Sequence, residues 1–164
     1  MLNIRSEAMQ KSLTIGGIVL FLLFMLAQLI QPGRTVPTVD PAREMRAVLS
    51  VPGPVQGILD RSCIDCHSYG TRWPWYSAVA PVSWLVASDV STGREHLNFS
   101  EWGSYNRGRV ISRLDMIISE VDKDEMPPTS YRLLHPDAGL SEEERDILCT
   151  WAEHISDSLN ALTK

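Results

Sequence analysis

From Leu13 to Ile30 the chain reads LTIGGIVLFLLFMLAQLI, with no charged side chain. At ~1.5 Å per residue this segment makes roughly 27 Å of helix, close to the hydrocarbon thickness of a bilayer. A buried helix of a soluble protein fits poorly, because the segment has no polar face. A cleaved signal peptide is the competing reading. Its apolar region is usually shorter and ends in small residues at −3 and −1 of the cut. Here Met25 stands two residues before Ala27, so no good site forms. An uncleaved signal anchor is therefore expected over 13–30, preceded by a flank over 1–12. Flanking charge hardly sets the orientation: Arg5 and Lys11 lie on one side, Arg34, Arg43 and Arg46 on the other.

Beyond the anchor the chain changes character. The whole protein has 15 basic and 20 acidic residues, net −5. No basic face of the kind that binds nucleic acid is present in the sequence. Residues 31–50 hold Pro32, Gly33, Pro37 and Pro41 and read as an extended linker, with a short helix over Arg43 to Leu49. A small domain is expected over 51–164.

The chemistry centres on Cys63-Ile64-Asp65-Cys66-His67. Two cysteines three apart, followed at once by histidine, form the attachment pattern of c-type haem. Each thiol adds across one vinyl group of the haem. Positions i and i+3 share a face of a helical turn, so both can reach. His67 then offers an imidazole nitrogen to the iron as proximal ligand. A redox Cys-x-x-Cys pair would want a βαβ context, and none is evident. A structural zinc site would want a second ligand pair, and Cys149 stands alone. Cys149 is expected as a buried thiol on a helix. Covalent haem, haem c with its iron, is the favoured reading. It also places the domain on the outer, periplasmic side of a bacterial cytoplasmic membrane, where such haem is attached.

The rest of the domain reads as helices. Val55, Ile58, Leu59 and Ser62 recur at helical spacing and run into Cys63. Trp73, Trp75 and Tyr76 surround a proline and are expected as an apolar wall for the haem, or as ordinary core aromatics. Arg72 is a candidate partner for a haem propionate, or a solvated arginine. A helix follows from Pro81, ended by Gly93, and then a loop over His96–Trp102. The next helix spans about Asn106 to Val121, with Val110, Leu114, Ile117, Ile118 and Val121 as its stripe. Met126-Pro127-Pro128 fixes a methionine in a loop. By analogy with many small cytochromes c, Met126 is the expected sixth ligand of the iron. His96 and His135 are its rivals; Met116, off its helix's stripe, is a weaker one. The last helix begins at Ser141, where Ser141 and Glu144 make a capping box, and it buries Leu148, Trp151, Ile155 and Leu159.

With these residues in view, the chain resembles a family of small bacterial haem-binding domains of cytochrome c type. The resemblance covers roughly Val51 to Trp151. It rests on Cys63-x-x-Cys66-His67-Ser68, Thr71-x-Trp73-Pro74-Trp75-Tyr76, Ala80-Pro81-Val82-Ser83-Trp84, His96-Leu97-Asn98-Phe99-Ser100-x-Trp102, Met126-Pro127-Pro128 and His135-Pro136. It implies covalent haem through Cys63 and Cys66 and iron ligation by His67.

The expected fold class is all-α: a small cytochrome c-like helical domain around a covalent haem, preceded by one transmembrane helix. The first expected function is a membrane-anchored one-electron carrier with iron held by His67 and Met126. Its acidic surface would suit a redox partner with a basic docking face. The alternative is a haem enzyme, peroxidase-like, or a haem-based sensor with an open or displaceable sixth site, for which His96 or His135 would serve as distal acid–base groups. A thiol- or zinc-based module without haem stands third.

Overall fold

A computed structural model describes residues 2–161, with side chains from Met9 onward. Met1, residues 162–164 and the side chains of Arg5 and Glu7 in the N-terminal flank lie outside the described residues. Every regular element among the described residues is a helix. The chain divides into two compact units.

The first unit joins the N-terminal stretch through Thr35 to Trp73–Asp89. Its long element is α1, Leu2–Ala27. Within α1 the window Met9–Ala27 is apolar enough to cross a membrane, and none of it is buried. The helix stops three residues before the end of the charge-free run, and Gln28 and Leu29 form a turn. Gln28 is the polar residue at the end of that run, and its side chain marks the stop. The Gln28 Nε2 donates to the Ala80 carbonyl at 3.2 Å, and its Oε1 accepts from the Ala80 amide at 2.9 Å. Ala80 lies just after a short 3₁₀ turn, Trp75–Ala78.

The second unit comprises Val36–Arg72 and the chain from Val90 onward. Residues 31–50, expected as an extended linker, contain a 3₁₀ turn at Pro41–Arg43 and a short helix, α2, at Met45–Val48. Met45 enters the core. Then come α3 (Gly53–Ser62) and α4 (Ile64–His67). The helix expected from Pro81 is α5, Val82–His96, whose residues after Asp89 belong to this unit. It does not end at Gly93 but runs on to His96. A 3₁₀ turn follows at Phe99–Ser104 within the expected loop. After it, α6 spans Arg107–Asp122, α7 Thr129–Leu134 and α8 Glu142–Ala161.

The core lies where α3, α6 and α8 meet. Leu59, Leu114, Leu148 and Trp102 are fully or almost fully buried there. Each such side chain contributes about 1.5–3 kcal/mol by leaving water. Local chemistry sets the helix starts. The Asn106 Oδ1 accepts from the Arg109 amide at 2.9 Å. Ser141 and Glu144 close the expected capping box: the Glu144 amide donates to Ser141 Oγ at 3.2 Å and the Ser141 amide to Glu144 Oε2 at 3.0 Å. On α8, Leu148 and Trp151 are buried as expected, while Ile155 and Leu159 pack only in part; Ala152 and Ser156 complete the buried face.

Candidate functional site

The site begins where α3 breaks. The Cys63 amide still donates to the Leu59 carbonyl at 3.0 Å. Its backbone then leaves the helix, and a new turn starts. The amides of Cys66 and His67 both donate to the Cys63 carbonyl, at 3.2 and 3.0 Å. Cys63, Cys66 and His67 therefore stand together on a single turn, each half-buried. Ser68 closes the turn: its hydroxyl donates to the Ile64 carbonyl at 2.8 Å and accepts from the Gly70 amide at 3.0 Å.

His67 is held from α5. Its Nδ1 lies 2.9 Å from the Gly93 carbonyl and 3.1 Å from the Leu97 carbonyl. Carbonyls only accept, so Nδ1 carries the proton. In the neutral ring the lone pair is then on Nε2, the nitrogen free to bind a metal. Burial lowers the His67 pKa below its ordinary value, and the nearby His96 adds to this; the two carbonyls oppose it. The result favours the neutral ring that a metal requires.

This hold depends on Gly93. A Cβ there would stand 2.9 Å from the Cys66 carbonyl oxygen, closer than side chains pack. Glycine inside α5 thus lets that helix lie directly against the Cys66 backbone, which is why the helix continues through it. A glycine within an apolar helical pattern was the available sequence signal for a close approach.

The opposite end of the turn is held through Asp65. Its carboxylate accepts from the Arg72 amide, Nε and Nη2 at 3.0, 3.0 and 3.1 Å and from the Tyr131 hydroxyl at 2.9 Å. Arg72 also donates to the Asp60 carbonyl at 2.7 Å. Burial, then the Asp65 carboxylate, pushes the Tyr131 hydroxyl well above its ordinary pKa. Arg94 bridges to the chain after the turn, with Nε on the Ser68 carbonyl and Nη2 on Thr71 Oγ1, both at 2.8 Å.

The Cys63 thiol is pushed up to about 12, first by burial, then by Cys66, against a small lowering from Arg61. It keeps its proton at neutral pH. A cleft of about 470 Å³ borders the turn through Ile64 and Ser68, lined also by Met45, Leu59 and Phe99 with Arg46 and Arg72.

A family model described as a haem-binding domain matches residues 22–154, most of the chain. The chain belongs to the haem-binding domain family. Haem is its cofactor. Searches of curated proteins and of solved structures find no match. In this haem-binding domain the donor set on the turn fits the group: the thiols of Cys63 and Cys66 on one turn and one neutral imidazole, His67, with Nε2 free.

The remaining sequence candidates are placed as follows. His96 is exposed at the end of α5, near enough to His67 to affect its charge. His135 caps α7 and stacks on Tyr131, ring centroids 4.1 Å apart, so it is linked to the turn through Tyr131 and Asp65. Met126 is half-buried after α6, where its amide donates to the Glu120 carbonyl at 3.1 Å. Asp124, at φ 57°, makes the left-handed bend that permits this, a conformation aspartate tolerates better than most. Met116 lies against Arg113, with Nη1 3.1 Å from its sulfur. Trp73, Trp75 and Tyr76 belong to the first unit; Arg34 lies over the Trp73 ring, and Trp75 is 82% exposed. Cys149, expected buried, is half-buried on α8, and burial with Asp122, Glu153 and Asp146 raises its pKa.

Proposed function

We propose that this haem-binding protein is a membrane-anchored c-type cytochrome that carries one electron at a time. One observation carries the reading: His67 has its Nδ1 proton committed to two backbone carbonyls, on the same turn that presents the thiols of Cys63 and Cys66. Each thiol would add its S–H across one vinyl group of the haem, the C–S bond forming as the hydrogen goes to the neighbouring carbon. No oxidant is consumed. Cys63 and Cys66 would hold the haem by that addition, and His67 Nε2 would take its iron from the same turn. The haem supplies an iron that passes between ferric and ferrous states. The chain's part is to hold the ligands still, so that little rearranges between the two. Met126 is the proposed sixth ligand, its backbone fixed by the α6 cap and by Pro127; a His/Met pair raises the potential. Arg72 is engaged with Asp65, so a propionate would share it or displace that partner. The anchor is α1, the domain lies on the periplasmic side of the inner membrane, and the net negative charge suits a partner with a basic docking face.

The test is the double variant Cys63→Ala, Cys66→Ala. Haem is expected to be lost from the denatured chain, with no haem-dependent peroxidase stain in a denaturing gel. Retained stain would overturn covalent attachment. A second reading, a haem enzyme or sensor with an open sixth site, is favoured by one observation: the Tyr131 hydroxyl donates to Asp65 of the Cys63–His67 turn, and the His135 imidazole stacks on the Tyr131 ring. Ferric spectra of Met126→Ala, His96→Ala and His135→Ala decide. Loss of the weak long-wavelength thioether band in Met126→Ala alone supports the carrier. A spin-state change in a histidine variant alone moves the function to the second reading.

A further inference from the structure

The first unit contains a second charge-free run. Residues 73–88 carry no Asp, Glu, Lys, Arg or His, and they hold Trp73, Trp75 and Trp84, three of the protein's five tryptophans. In a globular core such a run would be covered. Here Trp75 is 82% exposed, Leu85 65%, and Trp84, Val82 and Val79 between 36% and 39%. The run does have an interior, but a small one: Ser77, Ala80 and Ser83 are each 0% exposed. Trp73 and Tyr76 are half-buried, while Trp75, Trp84 and Leu85 face out.

The same run is tied to the end of α1 by side-chain hydrogen bonds. Gln28 takes both backbone groups of Ala80, and Gln31 Nε2 reaches the Ala78 carbonyl at 3.3 Å. Arg34 donates to the Ser77 carbonyl and lies over the Trp73 ring at 4.6 Å. The Trp84 indole N–H donates to the Ile30 carbonyl at 2.7 Å. Leu29 and Ile30, between these ties, are themselves 80% and 66% exposed.

We infer that Trp73–Ala87 forms a collar in the membrane–water interface around the outer end of α1, its exposed Trp75, Val79, Val82 and Leu85 seated among lipid headgroups and upper acyl chains. The inference rests on the reading of α1 as a membrane span. A face bonded residue by residue to the end of a spanning helix cannot leave the depth at which that helix emerges. Tryptophan, with an apolar body and a polar N–H, is the side chain that interface favours. Arg34, at the boundary of the apolar run, holds its charge at the same polar level. The occupant is therefore the bilayer itself, rather than a second copy or a soluble partner.

The test uses the full chain in vesicles of ordinary and of acyl-brominated phosphatidylcholine. α1 has no tryptophan, and Trp102 and Trp151 are buried in the second unit. Any lipid-dependent quenching thus reports on the collar, and the ratio between the two lipids cancels quenching inside the protein. Vesicle flotation is read on the same samples. The expected result is flotation with a clear loss of emission in brominated lipid, most of which disappears in Trp75→Phe. In Trp75→Ser, Leu85→Ser the remaining loss also shrinks, with flotation unchanged. Flotation without quenching would overturn the collar and leave the anchor standing. A chain that fails to float would overturn both. Quenching absent and copies cross-linked through the Trp75 face would overturn the bilayer as occupant in favour of a second copy.

Discussion

The two units of this chain use apolar side chains in opposite ways. In the second, Trp102, Leu114 and Leu148 are 0% exposed, and the polar surface around them carries the ion pairs. In the first, Leu29, Trp75 and Leu85 are mostly exposed, and it is small or polar groups, Gln28, Ser77 and Ala80, that hold the parts together. Water drives the second arrangement, because burying apolar area is its main gain. It cannot drive the first, which gains from water almost nothing at those side chains. Hydrogen bonds become the organising contacts where the surroundings are not water, and their cost when unmade rises there. On the proposed reading of α1 as a membrane span, one sequence would thus carry two solvents' rules, and the turn of Cys63, Cys66 and His67 belongs to the unit that follows the aqueous one.

The largest expected difference follows from tryptophan. Trp102→Ala should cost the second unit about 3–5 kcal/mol, by lost transfer and the cavity left behind. Trp75→Ala, an exposed side chain, should stay within about 0.5 kcal/mol in detergent. Denaturant unfolding followed by near-ultraviolet dichroism of the haem-loaded chain measures both. Equal costs would break the contrast and give the first unit a water-driven core of its own.

Glycine gives the next contrast. At Gly16 and Gly17 of α1 a Cβ would meet nothing within 4 Å, whereas at Gly93 it would meet the Cys66 backbone at 2.9 Å. Gly17→Ala should leave membrane association unchanged. Gly93→Ala should push α5 from the turn of Cys63, Cys66 and His67, cost about 1–3 kcal/mol and lower the yield of haem-loaded protein. Full haem loading with unchanged unfolding would show that α5 need not touch the turn.

Tyr131→Phe probes a single contact, the hydroxyl donated to Asp65. With Arg72 still in place, about 0.5–1.5 kcal/mol should be lost. A loss beyond that range would mean that the stacked His135 moves too.

What could be read from the sequence is what is local. Cys63, Cys66 and His67 share a turn because three-residue spacing in a helix forces it, and the Asn106 and Ser141 helix starts are decided within three residues. What was hidden is long-range. Asp65 meets Tyr131 across 66 residues, and neither is marked by its neighbours. α7 is short and has no apolar period of its own. Trp73, Trp75 and Tyr76 follow the Cys63–His67 turn directly in sequence, and they belong to the same unit as the end of α1. The polar Gln28 at the end of one apolar run and the charge-free run over 73–88 were the sequence hints of that grouping, and the pairing between them could not be named from sequence.

The smallest effect expected is a pH effect, and it belongs only to the water-driven unit. Glu144 accepts from the Ser141 amide and from Arg61 Nη2 at 2.8 Å, and these lower its pKa from the ordinary 4.5. The unfolded chain, lacking both partners, therefore takes up a proton at higher pH than the folded one. Above the ordinary value neither form is protonated, and the contribution is fully present. As the pH falls from about there through the folded value it is lost. Both side chains are about one-third exposed, so solvent screens the pair and salt should weaken it. Glu144→Gln keeps part of the cap but cannot titrate. Its stability curve should lie slightly below that of the parent at neutral pH and converge with it in acid, read as urea midpoints from pH 7 down to pH 3. Ser141→Ala, by contrast, should cost about 0.5–2 kcal/mol, most of it independent of pH. If Glu144→Gln instead runs parallel to the parent down to the lowest pH, the capping carboxylate is no more stable as an ion in the fold than in the open chain. The acid sensitivity of this unit must then come from other groups, His67 first among them, because burial favours its neutral ring.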